Sequence, residues 1–160
     1  AFAPEKIRSI VPLLKDRVER LSDVVPLAGF FLSGLLPVTE ADFAHKQLTA
    51  EQSRKILQLA VWELEQSAEW SREAVERVCQ RLAAYLGLKI RETLFPLFVA
   101  ITGKPVSTSV IDSIAILGLD ISRARIRYAL DVLGGVSKKE TKELEKSFRE
   151  FQAFELPTKE

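Results

Sequence analysis

Cysteine is nearly absent from the chain, which has only Cys79. A lone thiol excludes an internal disulfide framework and a thiol-rich metal site, and it suits a reducing compartment. Histidine is as scarce: His45 stands alone in a polar stretch, where a solvated loop residue is expected rather than a general base. The seven glycines are scattered over expected helix ends and turns, with only Gly134-Gly135 adjacent, so there is no glycine-rich loop to cradle a nucleotide phosphate. Charge of one sign is lacking too. With 23 basic and 22 acidic residues the formal net charge is +1, without the excess of a non-specific nucleic-acid binder, so DNA is not an expected partner and any nucleic-acid surface must be local. No run approaches the ~18 apolar residues that would read as a membrane span, and residues 1–20 mix charged with apolar side chains, unlike a secretory signal. The expectation is a soluble, cytoplasmic protein with no membrane partner.

What is present is ordinary for a folded domain: 47% apolar and 28% charged residues, enough for one core or for two small helical lobes sharing one. Ile7, Ile10, Val11, Leu14, Val18 and Leu21 recur at the spacing of one helix face, interrupted by Pro12. A second apolar stretch, 23–36, closes on Ser33-Gly34 and Pro37. Thr49 with Gln52 forms a capping box ahead of Ile56, Leu57, Leu59, Ala60 and Leu64. Trp70, Ser71 and Val75 suit a hydrophobic staple before the face Val75, Val78, Cys79, Leu82, Leu86.

Gly87 is a helix stop and the expected boundary between lobes. Ile90–Ile101 reads as a helix containing Pro96, and Thr102-Gly103-Lys104-Pro105 as a turn. Ser109 with Asp112, and Ser137 with Glu140, read as further capping boxes. They open helices over Val110–Leu117 and over a tail whose face carries Leu144, Phe148, Phe151 and Glu155; another helix runs from about Ile121 to Leu133. Strand-like alternation and internal repeats are missing, so the fold class is all-α, divided into 1–86, 87–135 and a C-terminal amphipathic helix and tail over 136–160. Carboxylates are dispersed among lysines and arginines, as on solvated faces; no catalytic residue and no metal ligand set is identified.

Two segments carry a resemblance. Leu13-Leu14-Lys15-Asp16-Arg17-Val18-Glu19-Arg20-Leu21-Ser22-Asp23, followed by Phe30-Phe31, resembles a "leucine, two residues, arginine, then leucine-serine/threonine" helix and its paired-aromatic successor. Leu94-Phe95-Pro96-Leu97-Phe98-Val99-Ala100-Ile101-Thr102-Gly103 resembles a "proline-leucine-arginine-x-alanine-leucine-threonine-glycine" motif, and Ile114-Ala115-Ile116-Leu117-Gly118 resembles the "leucine-leucine-glycine" helix end that follows it. These motifs, in order over most of 4–134, are those of the anticodon-binding region of bacterial-type glutamyl-tRNA synthetases, class I aminoacyl-tRNA synthetases. The resemblance implies a helical-cage anticodon-binding domain, monomeric, that contacts the anticodon loop of tRNA(Glu). It also implies a parent ligase whose catalytic portion, outside this sequence, uses ATP and magnesium to join glutamate to that tRNA; this chain itself would hold no cofactor.

The resemblance also implies roles for residues. Arg17 occupies the position of an arginine set against the third anticodon base, cytosine for glutamate and guanine for glutamine. A guanidinium suits cytosine's acceptors, whereas guanine presents donors; a surface pairing of Arg17 with Asp16 or Glu19 is the alternative. Ser107, Thr108 and Val110 match the turn and helix start packed against the middle and first bases, although the hydroxyls could equally cap that helix. Lys104 is a candidate phosphate contact. Phe98 departs from the family's arginine: it must stack on a base if it meets the tRNA, or else belong to the core. Arg123 and Arg127, four apart, either follow stem phosphates or solvate their face, with Arg125 offset to the side. The alternative function is a diverged helical protein-interaction domain, with Phe148, Phe151 and Phe154 contacting a partner.

Overall fold

The structure, a computed structural model, describes residues 4–15, 19–20, 29, 31, 33–103 and 109–157. Among them are seven α-helices and one 3-10 turn at Glu40–Phe43, with no strand: α1 (Pro4–Leu14), α2 (Ala50–Gln66), α3 (Arg72–Leu86), α4 (Ile90–Thr102), α5 (Val110–Leu117), α6 (Leu119–Val132) and α7 (Lys138–Ala153). The expected all-α class is observed.

The helix ends follow from local chemistry. Thr49 and Gln52 form the reciprocal capping box of α2, with bonds of 3.1 and 2.8 Å. Ser71, Ser109 and Ser137 each accept from the amide three residues on. At the last two, the expected box gives its acid to another helix. Asp112 accepts from Arg72 of α3 at 2.8 Å, and Glu140 accepts from Arg54 of α2 at 3.0 Å. Each guanidinium, exposed at Arg72 and partly buried at Arg54, draws the acid away from its local amide and so joins two helices. Gly87 and Gly103 close α3 and α4 in the left-handed conformation, with φ of 65° and 79°.

The α2 helix is central, packing on α3, α4, α6 and α7, while α4, α5 and α6 pack on one another. Residues on both sides of Gly87, from Ile10 to Phe151, form one core cluster. Of its buried hydroxyls, Thr93, Thr102 and Ser113 each donate to the carbonyl four residues back, and Ser122 donates to Ile114 O of α5 at 3.5 Å, while Ser53 Oγ has no hydrogen-bond partner. Among the described residues no helix is long and apolar enough to cross a membrane.

Three expectations are corrected. Ile10 and Leu14 of the first stripe are buried, but Ile7 and Val11 are 50% and 56% exposed, because α1 continues through Pro12 only to Leu14 and lies chiefly on α5, which covers one edge of it. Val18 and Leu21 lie outside the described residues. Glu155 falls beyond the end of α7 and is exposed. The tail phenylalanines do not offer a free face either. Phe148 and Phe151 are buried against Trp62 and Tyr85, with ring centroids 5.4 and 5.5 Å apart, and Phe154 is half-buried on Tyr85; burying aromatic area is the main reason for α7 to dock at all.

Gly103 combines a positive φ with a tight environment, since a Cβ there would lie 3.3 Å from Leu36 Cδ1. Gly103→Ala is therefore expected to destabilise the chain by about 1–2 kcal/mol through the left-handed backbone alone. Urea or thermal unfolding measures it, and an unchanged midpoint would show that the backbone there is not held.

Candidate functional site

Arg125 ties the end of the second motif segment to the Ser33-Gly34 turn that follows the first. The residue is 1% exposed and lies on the core face of α6 with Ser122, Ile126 and Ala129. Its guanidinium donates to Ile101 O of α4 at 2.5 Å, Ser33 O at 2.6 Å and Gly34 O at 3.0 Å. Burial pulls its pKa down to about 10, so it remains charged at neutral pH. One acceptor lies at a helix end and the others follow a single helical turn. Ile101 is in the last turn of α4, and Ser33 closes a helical turn by donating its amide to Gly29 O at 3.1 Å. Carbonyls at helix C-termini have no intrahelical donor and carry negative partial charge, so a cation that bonds them directly satisfies both. Leu36 lies beside Gly103 at the same junction, so close that a Cβ there would stand 3.3 Å from its Cδ1.

The predicted site residues distribute unevenly around this junction. Phe98, on α4, is half-buried and packed against the core; its carbonyl accepts from Thr102 Oγ1 at 2.7 Å. Val110 opens α5 and is buried, so its side chain belongs to the core and only its backbone can face a ligand. Ser109 spends its hydroxyl on the Asp112 amide, 3.3 Å away. Arg17, Lys104, Ser107 and Thr108 lie outside the described residues, whose nearest boundaries are Lys15, Gly103 and Ser109. Arg123 and Arg127 do share a face of α6, and each has an acidic partner, Asp120 at 2.8 Å and Glu65 at 2.6 Å.

Several arginines work inward rather than toward a ligand. Arg81 of α3 bonds Glu63 and donates to the carbonyls of Phe151 and Phe154 at 3.1 Å each, capping α7 from outside, while its guanidinium carbon stands 4.9 Å from the Phe151 ring centre. Arg54 donates to Leu133 O at the end of α6, at 3.1 Å. Trp70 donates its indole N–H to Ala115 O at 3.0 Å, a tertiary role beyond the expected staple. The three arginine clamps were missed in the sequence. For Arg125 a signal existed, since it falls on the same stripe as Ser122, Ile126 and Ala129; for Arg54 and Arg81 the partners are too distant in sequence to be anticipated.

The candidate chemistry-bearing residues are quiet. His45 is half-buried rather than solvated: its ring lies 4.7 Å from Phe95, and its Nδ1 accepts from the Gln47 amide at 3.1 Å. The described residues hold no group of three or more His, Cys, Asp or Glu placed to bind a metal ion. What the junction can do is position backbone and side chains, and among the described residues no acids, bases or nucleophiles converge on it.

The described residues form an all-α scaffold in which Arg125 ties the end of α4 to the Ser33-Gly34 turn. The family model described as "Anticodon binding domain" matches residues 1–130, and the chain belongs to that family. It is similar to the glutamate–tRNA ligases of Stutzerimonas stutzeri, 47% identical over 91% of this chain, and of a Marinomonas species, 48% identical over 92%. The chain spans about 30% of the length of these relatives. Its fold resembles that of a glutamate tRNA ligase from Elizabethkingia meningosepticum, solved in complex with its amino acid, with a TM-score of 0.72 over 83% of this chain and 26% of that one at 22% identity.

Cys79 provides a check on the packing. It is buried on α3, and desolvation, aided by nearby Glu76, pushes its thiol up to about 12. A thiol reagent at pH 8 should leave the native chain unlabelled and react with Cys79 once the chain is unfolded, because only the thiolate is nucleophilic. Rapid labelling of the native protein would contradict the buried position.

Proposed function

We propose that this chain is the tRNA-anticodon-binding module of a glutamate–tRNA ligase and supplies the identity check for tRNA(Glu). The observation that carries the reading is the similarity, 47–48% identity across more than nine-tenths of the chain, to proteins named glutamate–tRNA ligases. The small net charge fits it, because recognition of unstacked loop bases needs a local polar surface and not a broad basic face. The parent enzyme joins glutamate to its tRNA with ATP and magnesium, acts in the cytoplasm and works as a monomer; this chain's share is binding alone, and no step of that reaction is routed through its residues.

Within the module, Arg17 donates to the acceptors of cytosine at the third anticodon position. The backbone and hydroxyls around Ser107, Thr108 and Val110 meet the middle and first bases, Lys104 meets a phosphate, and Phe98 stacks on the first base. Arg123 and Arg127 approach the stem phosphates by exchanging their acidic partners for phosphate, a modest change because such exposed ion pairs are worth at most about 1 kcal/mol.

Titration of the chain with tRNA(Glu) at two salt concentrations tests the reading. Saturable binding that weakens as salt rises is expected, and no saturation at low salt, where phosphate contacts are strongest, would remove it. Arg17→Gln should narrow the preference for cytosine over guanine at the third position by roughly tenfold to a hundredfold, the worth of one well-made polar contact; an unchanged ratio of dissociation constants would return Arg17 to the surface. Phe98→Ala should weaken binding by about 1–3 kcal/mol if the ring stacks on a base. Unaltered affinity with a lowered melting temperature would assign the ring to the core only.

A further inference from the structure

We infer that Arg125 is a positioning residue for anticodon discrimination: it fixes the spacing between the two segments that would contact the bases, and the inference rests on the anticodon-binding reading. The first motif segment, Leu13 to Asp23 with Phe30-Phe31 after it, is followed in the sequence by Ser33-Gly34; the second runs through Phe98 and ends at Thr102-Gly103, one residue before Lys104. One guanidinium donates to carbonyls beside both segments, those of Ser33 and Gly34 just after the first and that of Ile101 in the second. In sequence the partners lie 92, 91 and 24 residues from Arg125, so no local structure would otherwise set their separation. Leu36, beside Gly103, closes the same junction from the apolar side.

The guanidinium is suited to this task by its shape. A planar fork with five N–H donors can serve acceptors from two directions in one plane, whereas an ammonium on a flexible stem cannot hold the same geometry. Burial removes competing water, so the bonds are directional and the junction is stiff. Base discrimination depends on donors being placed within a fraction of an ångström. A loosened junction should therefore lose selectivity between bases before it loses the general attraction for phosphates, which tolerates displacement.

The test uses Arg125→Lys in the 160-residue chain against synthetic RNA hairpins with the glutamate anticodon or with guanine at its third base. The expected result is a folded protein with a lowered melting temperature. Its preference for cytosine falls about tenfold, the equivalent of one lost polar contact, and the salt dependence of its binding stays that of the unaltered chain. A lowered melting temperature with an unaltered preference would make Arg125 structural only and overturn the inference. If the unaltered chain shows no preference between the hairpins, the discrimination reading fails first and this inference with it, a result distinct from any effect of the substitution. Should Arg125→Lys not fold, Leu36→Ala loosens the same junction without removing the buried charge. It should lower the preference in the same direction, and an unchanged ratio there would overturn the inference as well.

Discussion

A buried guanidinium is the constraint around which this fold is arranged. Taking an arginine out of water costs several kcal/mol unless its donors are matched, and Arg125 is matched with carbonyls from two chain segments far from it in sequence. Those segments cannot separate without leaving a charge and several carbonyls unsatisfied. The end of α4, the Ser33-Gly34 turn and the core face of α6 are therefore one unit, and the rest of the core is built onto it through α2, which packs on both α4 and α6.

The same device recurs at lower stakes. Arg54 joins α2 to the end of α6 and to Glu140 of α7, and Arg81 joins α3 to the end of α7. Small helical domains have many helix ends and few residues with which to finish them, and a long cationic side chain from a neighbouring helix satisfies carbonyls while it adds an interhelical tie. Arg54, Arg81 and Arg125 are thereby committed to holding helices together.

The elements were legible in the sequence because their signals are local. Serine and threonine caps, Gly87 and Gly103 as left-handed stops, and the apolar stripes of α2 and α3 lie where spacing placed them. What was not legible depends on contacts between distant residues. The acids of Asp112 and Glu140 left their local caps for arginines on other helices, half of the α1 stripe stayed uncovered, and Phe148 and Phe151 turned out to be the glue that docks α7 rather than a surface for a partner. At the candidate site, Val110 was identified through its place in a motif, yet its burial shows that only its backbone is available there. Arg125 is offset from the face of Arg123 and Arg127 as their spacing implies, and its place on the stripe of Ser122, Ile126 and Ala129 turns it into the core.

The central claim is that the anticodon loop is bound where the two motif segments converge on Arg125. Backbone amide chemical shifts of the labelled chain, followed by nuclear magnetic resonance as a glutamate-anticodon hairpin is added, test it most directly. The account predicts that the shifts which move cluster at residues 15–20, at 98–110 and around Ser33-Gly34, while those of α7 and the groove lined by Trp62, Gln66 and Gln152 stay in place. Perturbations concentrated along α7 and that groove, with the Arg125 junction unmoved, would contradict it.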